Sequence, residues 1–294
     1  MPELPEVESI RRGLETYCAG KTLAAVTADW PKSFPNEPMR VEAFALGQRI
    51  RHFDRRGKLL LMELDNDYVL AVHLKMTGQL VYVGPETEEA VGTLYPNRYT
   101  HVCLRLTDGS RIYFNDQRKF GYIKLLSPEE KEALPFLRTI GPEPLTAAFT
   151  KAGFYRSLQK KKNSPIKAVL LDQTTVAGIG NIYADESLLL AGLHPLTAAG
   201  AVSRAAADRL YCAIRRVLTE ALAYGGSSRK DYINAVGQKG DYLDNAFVYG
   251  RTGEPCRICG SIIEKTKVAG RGTHICPQCQ KLRLRKAGKG ANGV

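Results

Sequence analysis

The sequence has no apolar run of about 18 residues, which excludes a membrane-spanning helix and, with it, a membrane partner. It has no secretory signal either, because the opening Met-Pro-Glu-Leu-Pro-Glu carries two acids and no apolar stretch. Acidic residues are outnumbered by basic ones in this chain of 294 residues: there are 30 Asp and Glu but 42 Lys and Arg, which gives a formal net charge of +12. We expect a soluble, cytoplasmic protein of about two or three domains whose basic surplus fits nucleic acid. A basic enzyme without a polyanionic partner is the alternative.

The seven cysteines fall into two groups. Cys18, Cys103 and Cys212 stand alone among apolar or helical residues and are predicted to be buried thiols. The other four form two C-x2-C pairs separated by 16 residues, a spacing typical of a zinc site with four thiolate ligands. Because four protein ligands leave no open position on the metal, we predict one structural Zn²⁺; a pair of disulfides, which a reducing cytoplasm disfavours, is the alternative. The predicted ligands are Cys256, Cys259, Cys276 and Cys279.

Hydrophobic periodicity divides the chain into a strand-rich and a helical part. Residues 5–17 place apolar side chains at helical spacing, which predicts an amphipathic helix. From about 22 to 125 the apolar residues fall in short runs separated by turns, which indicates a sandwich or a barrel of short strands. Beyond about 130 the pattern becomes helical. The predicted helices cover 166–171, 182–191 and 203–224, and a loop rich in Gly, Asp and Asn follows over 225–250.

Three motifs lie in order along the chain: Pro-Glu-Leu-Pro-Glu-Val-Glu at 2–8, Gly-Ile-Gly-Asn-Ile-Tyr-Ala-Asp-Glu at 178–186, and the four-cysteine segment with Gly-Arg-Gly-Thr at 270–273. Together they resemble the formamidopyrimidine-DNA glycosylase family, the bacterial repair enzymes that excise oxidised purines. The resemblance extends over nearly the whole chain and implies an α+β multidomain fold. Its expected parts are an N-terminal β-sandwich catalytic domain with flanking helices at 1–130, a helical helix–two-turn–helix DNA-binding domain with a lesion-recognition loop at 131–246 and a C-terminal four-cysteine zinc finger at 247–281. The tail at 282–294 is basic and contains glycine, which predicts disorder.

The chain start offers a nucleophile. Loss of Met1 would leave Pro2 with a secondary amine whose pKa, about 7.7–8.0 for an ordinary α-amino group, keeps part of it unprotonated at neutral pH. An ordinary exposed terminus is the alternative. The resemblance implies that Pro2 attacks the sugar carbon C1′, displaces the damaged base and nicks the strand by β- and then δ-elimination. It also implies that Glu3 protonates the sugar, that Lys58 donates a proton in β-elimination, and that Arg271 grips phosphate and serves δ-elimination.

A damaged base must leave the helical stack before its glycosidic bond is accessible. The resemblance implies that Met76 and Phe120 wedge into the stack and that Arg118 pairs with the orphaned base, although by side chain alone core packing is favoured for both apolar residues. Glycines beside them favour loops. The lysine tract at 160–162 leaves open which lysine contacts phosphate. The remaining predicted DNA contacts are His73, Tyr99, Lys162, Lys167 and Asn181.

The sequence thus predicts a base-excision-repair glycosylase and abasic-site lyase for double-stranded DNA that carries 8-oxoguanine or formamidopyrimidines. We expect a monomer in the bacterial cytoplasm, associated with the nucleoid through DNA. One alternative is a relative of the endonuclease VIII type, which removes oxidised pyrimidines with the same amine chemistry. The other is a non-catalytic zinc-ribbon protein that binds nucleic acid.

Overall fold

The computed structural model describes residues 1–228 and 232–282. Its N-terminal half is built on the strands β1 (Leu23–Ala28), β2 (Ile50–Arg56), β3 (Leu59–Leu64), β4 (Val69–His73), β5 (Gly78–Val83), β6 (Thr100–Leu106), β7 (Arg111–Asp116) and β8 (Tyr122–Leu126). They form two four-stranded antiparallel sheets, ordered β1-β6-β7-β5 and β2-β3-β4-β8. The inner faces of both sheets share one apolar core. The fold is therefore a sandwich, and the predicted α+β class is confirmed.

The sheet that contains β3 is covered on both faces. Leu60 and Met62 point into the sandwich core, whereas Leu59 and Leu61 pack on the opposite face against a cluster that includes Phe136. This explains why β3 reads as a continuous apolar run rather than an alternating one. The helices around the sandwich are α1 (Leu4–Cys18), α2 (Pro38–Phe44), α3 (Glu88–Val91) with the 3₁₀ turn Gly92–Leu94, α4 (Pro128–Ala133) and α5 (Pro135–Thr139).

Helix α1 joins the two halves of the molecule. Its predicted range of 5–17 agrees with the observed Leu4–Cys18, and Pro5 occupies the first turn, where a missing N–H costs nothing. Val7, Ile10 and Leu14 belong to the sandwich core, but Leu4 belongs to the core of the helical half. The chain start is thereby fixed at the junction between the two cores.

The helical half surrounds α8, which is buried on nearly every side. Its helices are α6 (Lys151–Lys160), α7 (Ile166–Leu171), α8 (Asn181–Ala191), the 3₁₀ turn Ala199–Ala201, α9 (Arg204–Ala223) and α10 (Tyr242–Asn245). The turn before α8 approaches α1 so closely that a Cβ at Gly178, which has a φ of +80°, would lie 2.5 Å from Leu4 Cβ. A glycine is required there both for the backbone conformation and for the contact.

The last part of the described chain, within the predicted zinc finger, is a hairpin of β9 (Glu264–Val268) and β10 (Arg271–Ile275). Ala269 and Gly270 connect the strands with φ values of +50° and +74°, the left-handed pair that a tight two-residue hairpin turn requires. Ile263 and two of the finger cysteines pack against Leu189 of α8. The hairpin is thus anchored on the helix that also supports the chain start.

Some expectations need correction. Cys212 is exposed and Cys103 is half-buried, so of the three isolated cysteines Cys18 alone is fully buried. The predicted loop over 225–250 contains the short helix α10, and its residues 229–231 lie outside the described residues. The predicted disordered tail also lies outside them from residue 283 onward. Within the described ranges, no helix combines the length and apolarity needed to cross a membrane.

Candidate active site

Two cavities meet at the chain start. One, of about 250 Å³, is lined by the buried Pro2 together with Met76 and Ser227, and the other, of about 400 Å³, is lined by Glu3 and its neighbours. Met1, which is about half exposed, lines both. The larger cavity brings together the predicted catalytic side chains Glu3, Lys58 and Arg271 with Asn181.

Glu3 is fixed at the N-terminus of α8. Its buried carboxylate accepts hydrogen bonds from the backbone N–H groups of Gly180 (2.7 Å) and Ile182 (2.9 Å), which have no partner within the helix. Burial raises the pKa of Glu3 above its usual value, and the nearby charge of Lys58 opposes part of that rise. The carboxyl is therefore better able to hold a proton than an exposed glutamate.

Glu6 joins α1, α8 and the loop after α9. One carboxylate oxygen accepts from the backbone N–H (2.7 Å) and hydroxyl (2.9 Å) of Ser227 and from the hydroxyl of Tyr183, and the other accepts from the Glu3 N–H (2.7 Å). Tyr232 donates to the Glu6 carbonyl oxygen at 3.2 Å. Sequence reasoning missed Tyr183, Ser227 and Tyr232, because a polar residue that pairs with a group about 200 positions away leaves no local pattern.

Lys58 follows the turn between β2 and β3. The turn residue Gly57, with a φ of +57°, donates its N–H to Glu143 at 2.6 Å, and Arg55 donates to the other oxygen of Glu143 at 2.9 Å. Lys58 is buried and forms no hydrogen bond or ion pair with the described residues. Burial lowers the pKa of its amine; the nearby Glu3 opposes this effect and Arg271 adds to it. The amine is thus free to act on a group that enters the cavity.

Arg271 is exposed at the first position of β10 and reaches the same cavity. Asn181 donates to the carbonyl of the next residue, Gly272, at 2.9 Å, and its own side-chain oxygen is buried without a partner among the described residues. Lys167 does not face this surface. Its side chain is fully buried, lies 2.6 Å from Asp185 and donates to Thr273 at 2.8 Å. The prediction that Lys167 contacts DNA phosphate is wrong, because its ammonium is enclosed by protein.

The predicted wedge residues lie on two loops that are tied together. Met76 lies between β4 and β5 and lines both cavities, and Phe120, between β7 and β8, is 54% exposed with the Arg118 guanidinium 4.8 Å from its ring centre. Exposure excludes core packing for Phe120. Thr77 accepts the Arg118 N–H at 3.0 Å and donates to the buried Asp116, which accepts the Phe120 N–H at 2.8 Å. Asp116 thereby joins the two loops.

The other predicted phosphate contacts differ in charge and in exposure. His73 accepts the N–H of Lys75 on Nδ1 at 3.0 Å, and burial, reinforced by neighbouring lysines, lowers its pKa to about 4. It is therefore neutral at pH 7 and can offer phosphate an N–H but no charge. Tyr99 is half-buried before β6. In the lysine tract, Lys161 is paired with an aspartate, whereas Lys162 is exposed.

The four cysteines predicted to bind zinc come together. Their sulfur atoms all lie within 4.8 Å of one another, with 3.4 Å between Cys259 and Cys276 and 4.0 Å between Cys256 and Cys279. Four thiolates about 2.3 Å from one zinc ion in a tetrahedron lie about 3.8 Å apart, whereas a disulfide requires about 2.05 Å. The donor set therefore fits one structural Zn²⁺ and does not fit two disulfides.

Comparisons with known proteins agree with this architecture. Three protein-family models match the chain. They describe the formamidopyrimidine-DNA glycosylase N-terminal domain at residues 1–123, the formamidopyrimidine-DNA glycosylase H2TH domain at 140–232, and the zinc finger found in FPG and IleRS at 253–282. A formamidopyrimidine-DNA glycosylase of Chloroflexus aurantiacus is 45% identical over 281 residues, which cover 95% of this chain and 98% of the relative.

Solved structures are similar to this chain as well. The MutM (Fpg) protein of Thermus thermophilus has a TM-score of 0.84 at 42% identity, covering 95% of this chain and 98% of its own. Lactococcus lactis Fpg, in complex with DNA that contains an abasic site, has a TM-score of 0.86 at 35% identity over 95% of this chain and 100% of its own. A mutant of that protein bound to DNA containing Fapy-dG has a TM-score of 0.86 at 36% identity, covering 96% of this chain and 100% of its own. The chain belongs to the formamidopyrimidine-DNA glycosylase family.

Proposed function

We propose that this protein is a bifunctional DNA glycosylase and abasic-site lyase that removes 8-oxoguanine and formamidopyrimidines from duplex DNA, with Pro2 as its nucleophile. One observation carries the proposal. The buried Pro2 lies next to a cavity in which a carboxyl with a raised pKa, an amine with a lowered pKa and a guanidinium converge: Glu3, Lys58 and Arg271. Perturbed acids and bases that share a cleft are typical of catalytic sites.

In the first half of the reaction, the amine of Pro2 replaces the damaged base on the sugar carbon C1′. After Met1 is removed, the unprotonated amine of Pro2 attacks C1′, and the bond between C1′ and the base nitrogen breaks. The position of the amine at the positive end of α1 favours its uncharged form. Glu3 donates a proton to the ring oxygen O4′, and the sugar opens to an iminium between C1′ and the proline nitrogen. Pro2 loses its N–H proton as the iminium forms, and the departing base takes up one proton, so the protons balance.

The second half breaks the strand. A proton leaves C2′ and the C3′–O bond breaks, which releases the 3′ phosphate; a proton then leaves C4′ and the C5′–O bond breaks, which releases the 5′ phosphate. Lys58 transfers protons in the first elimination, and Arg271 stabilises the departing phosphate charge in the second. Water finally hydrolyses the imine and frees Pro2.

Access to the base requires that the duplex be opened. We assign Met76 and Phe120 to fill the space that the flipped nucleotide leaves in the stack. Arg118 is assigned to pair with the base that stood opposite that nucleotide. Phosphate contacts are assigned to Tyr99, Lys162 and Asn181, and to His73 as a neutral donor. The displaced base occupies the cavity of about 250 Å³ beside Pro2.

We also propose an oligomeric state, a cellular location and domain bounds for this protein. It acts as a monomer in the bacterial cytoplasm, on the nucleoid, with a sandwich domain at 1–130, a helical domain at 131–246 and a finger at 247–281. The structural Zn²⁺ has no part in the reaction; it fixes the finger fold that carries Arg271.

A reductive cross-link tests the nucleophile. Incubation with borohydride and an 8-oxoguanine·cytosine duplex should give a covalent adduct that mass mapping locates at Pro2, and Pro2→Gly should lose most base release while DNA affinity is retained. An adduct on an internal side chain would contradict the assignment. A zinc-ribbon protein that only binds nucleic acid would give no adduct, and an enzyme of the endonuclease VIII type would prefer oxidised pyrimidines in a parallel nicking assay.

A further inference from the structure

The ion pair between Lys167 and Asp185 takes no part in the chemistry described above. Both side chains are fully buried, with Nζ and Oδ1 2.6 Å apart. Two charges removed from water gain little net stability, since desolvation offsets most of their attraction. Such a pair is better explained by the geometry that it enforces than by the stability that it adds.

The contacts of the pair converge on the finger hairpin. Lys167, on α7, donates to Thr273 Oγ1 at 2.8 Å and to the Gly272 carbonyl at 3.2 Å. Asp185, on α8, accepts the backbone N–H of His274 at 2.9 Å. These three partners are the residues that directly follow Arg271 on β10.

Arg271 depends on this anchorage because its own guanidinium is held by nothing in the described chain. The side chain is exposed and forms no hydrogen bond or ion pair with a described residue. The neighbouring strand β9 is exposed along four of its five residues and gives little support. The position of the guanidinium therefore follows from the position of the β10 backbone.

We propose that Lys167 and Asp185 form a positioning unit for Arg271, which holds β10 against α7 and α8 and thereby sets where the guanidinium stands in the cavity. The inference rests on the proposed function, in which Arg271 serves δ-elimination. Pro2 and Lys58 lie outside α7, α8 and the finger, and Glu3 is held by the backbone N–H groups of Gly180 and Ile182, which substitution of Lys167 and Asp185 leaves in place. Formation of the imine and the first elimination should therefore continue without this unit. A displacement of about 1 Å at a reacting group lowers a rate by up to about 100-fold. Loss of the unit should therefore stop the reaction after the first break.

The experiment measures the two elimination products separately. The variant Lys167→Met/Asp185→Asn removes both charges and leaves an amide oxygen that can still accept the His274 N–H. Thr273→Val removes one acceptor of Lys167 at nearly constant shape. Lys161→Met is the matched control, because it deletes a lysine and its ion pair with Asp172 in the same half of the molecule without touching the finger. Each protein is incubated with a preformed abasic duplex, and the products are separated on a denaturing gel alongside borohydride trapping and zinc analysis.

We expect the double variant to trap abasic DNA within about threefold of the wild-type rate while the ratio of δ- to β-product falls at least about tenfold. Thr273→Val should lower the ratio by about threefold, and Lys161→Met should leave it unchanged. An unchanged ratio in a zinc-containing double variant would overturn the proposal, as would the parallel loss of trapping and both products. If the double variant loses zinc, Thr273→Val decides by the same criterion. Failure of the wild type to trap DNA would instead refute the proposed function.

Discussion

Replacement of Gly180 by alanine should displace the Glu3 carboxylate while Glu3 itself stays in the sequence. A Cβ at this position would lie 2.3 Å from the carboxyl carbon of Glu3 and 2.4 Å from one of its oxygens. The backbone of Gly180 is extended, with φ −128° and ψ −155°, so alanine fits its conformation and the added methyl acts through that contact. The carboxylate must move away from the N–H groups of Gly180 and Ile182.

The expected cost follows from these contacts. Each hydrogen bond to a charged group contributes about 1.5–3 kcal/mol, and an extra methyl in a packed site costs about 1–3 kcal/mol. Part of the loss is relieved as Glu3 finds other partners, and alanine restricts the unfolded chain. We expect unfolding free energy to fall by about 1–2 kcal/mol. We expect base release to slow by about 10–100-fold, since 1.36 kcal/mol of misplaced transition-state contact is tenfold in rate.

Single-turnover release of 8-oxoguanine and urea unfolding measure the two effects. Gly109→Ala is the control: Gly109 has open space around it and a φ of +89°, so alanine costs about 1 kcal/mol in strain at the far end of the sandwich. That variant should lose stability and keep its rate. If Gly180→Ala also released the base within twofold of the wild-type rate, Glu3 would not depend on the N-terminus of α8, and the assignment would be refuted.

Three further predictions address other parts of the site. Glu143→Ala should slow β-elimination about tenfold in an abasic-site assay, because Arg55 and the N–H of Gly57 lose their acceptor. Equal rates would show that the turn keeps Lys58 in position without Glu143. His73→Gln should remove part of the pH dependence of stability. Because the pKa of His73 is lowered to about 4, the folded protein binds fewer protons than the unfolded chain between about pH 4 and 6.5, and the free energy of unfolding falls by about 3 kcal/mol as the pH drops through that range. Urea titrations of the variant should not show this fall. Chelation of zinc, or Cys256→Ser, should weaken DNA binding in a titration as the finger unfolds, and full affinity of the metal-free protein would contradict this.

The sequence predicted best what depends on neighbours in the chain. The helix at 166–171 has the predicted bounds, and the two C-x2-C pairs gave the zinc ligands, because each knuckle needs only four consecutive residues. Short strands were predicted between about 22 and 125, but whether they form a sandwich or a barrel depends on the pairing order of distant segments. Short-range patterns contain no information about that order.

Long-range pairing also determines how the side chains of Lys167 and Phe120 are placed, which the local sequence does not reveal. Lys167 follows a lysine tract and resembles a solvated charge, but its partners are 18 and 106 positions away, on α8 and on the finger. Phe120 resembles a core residue by side chain, yet Asp116 accepts its N–H and fixes the loop that exposes its ring. In both cases a buried carboxylate determines whether the side chain is enclosed or exposed, and the periodicity of the sequence does not reveal that carboxylate's position.

The buried carboxylates of this protein share one property: each connects elements that different parts of the chain supply. Glu3 joins α1 to α8, Glu6 joins α1 to the loop after α9, and Asp185 joins α8 to the finger. Apolar residues could seal these junctions at equal or greater stability, but they would not fix direction or register, because hydrophobic contact is not directional. Polar links do so, since a hydrogen bond weakens steeply when donor and acceptor are misaligned. A reaction that uses an amine, a carboxyl and a guanidinium from separate elements needs that register, and the links lie where those elements meet.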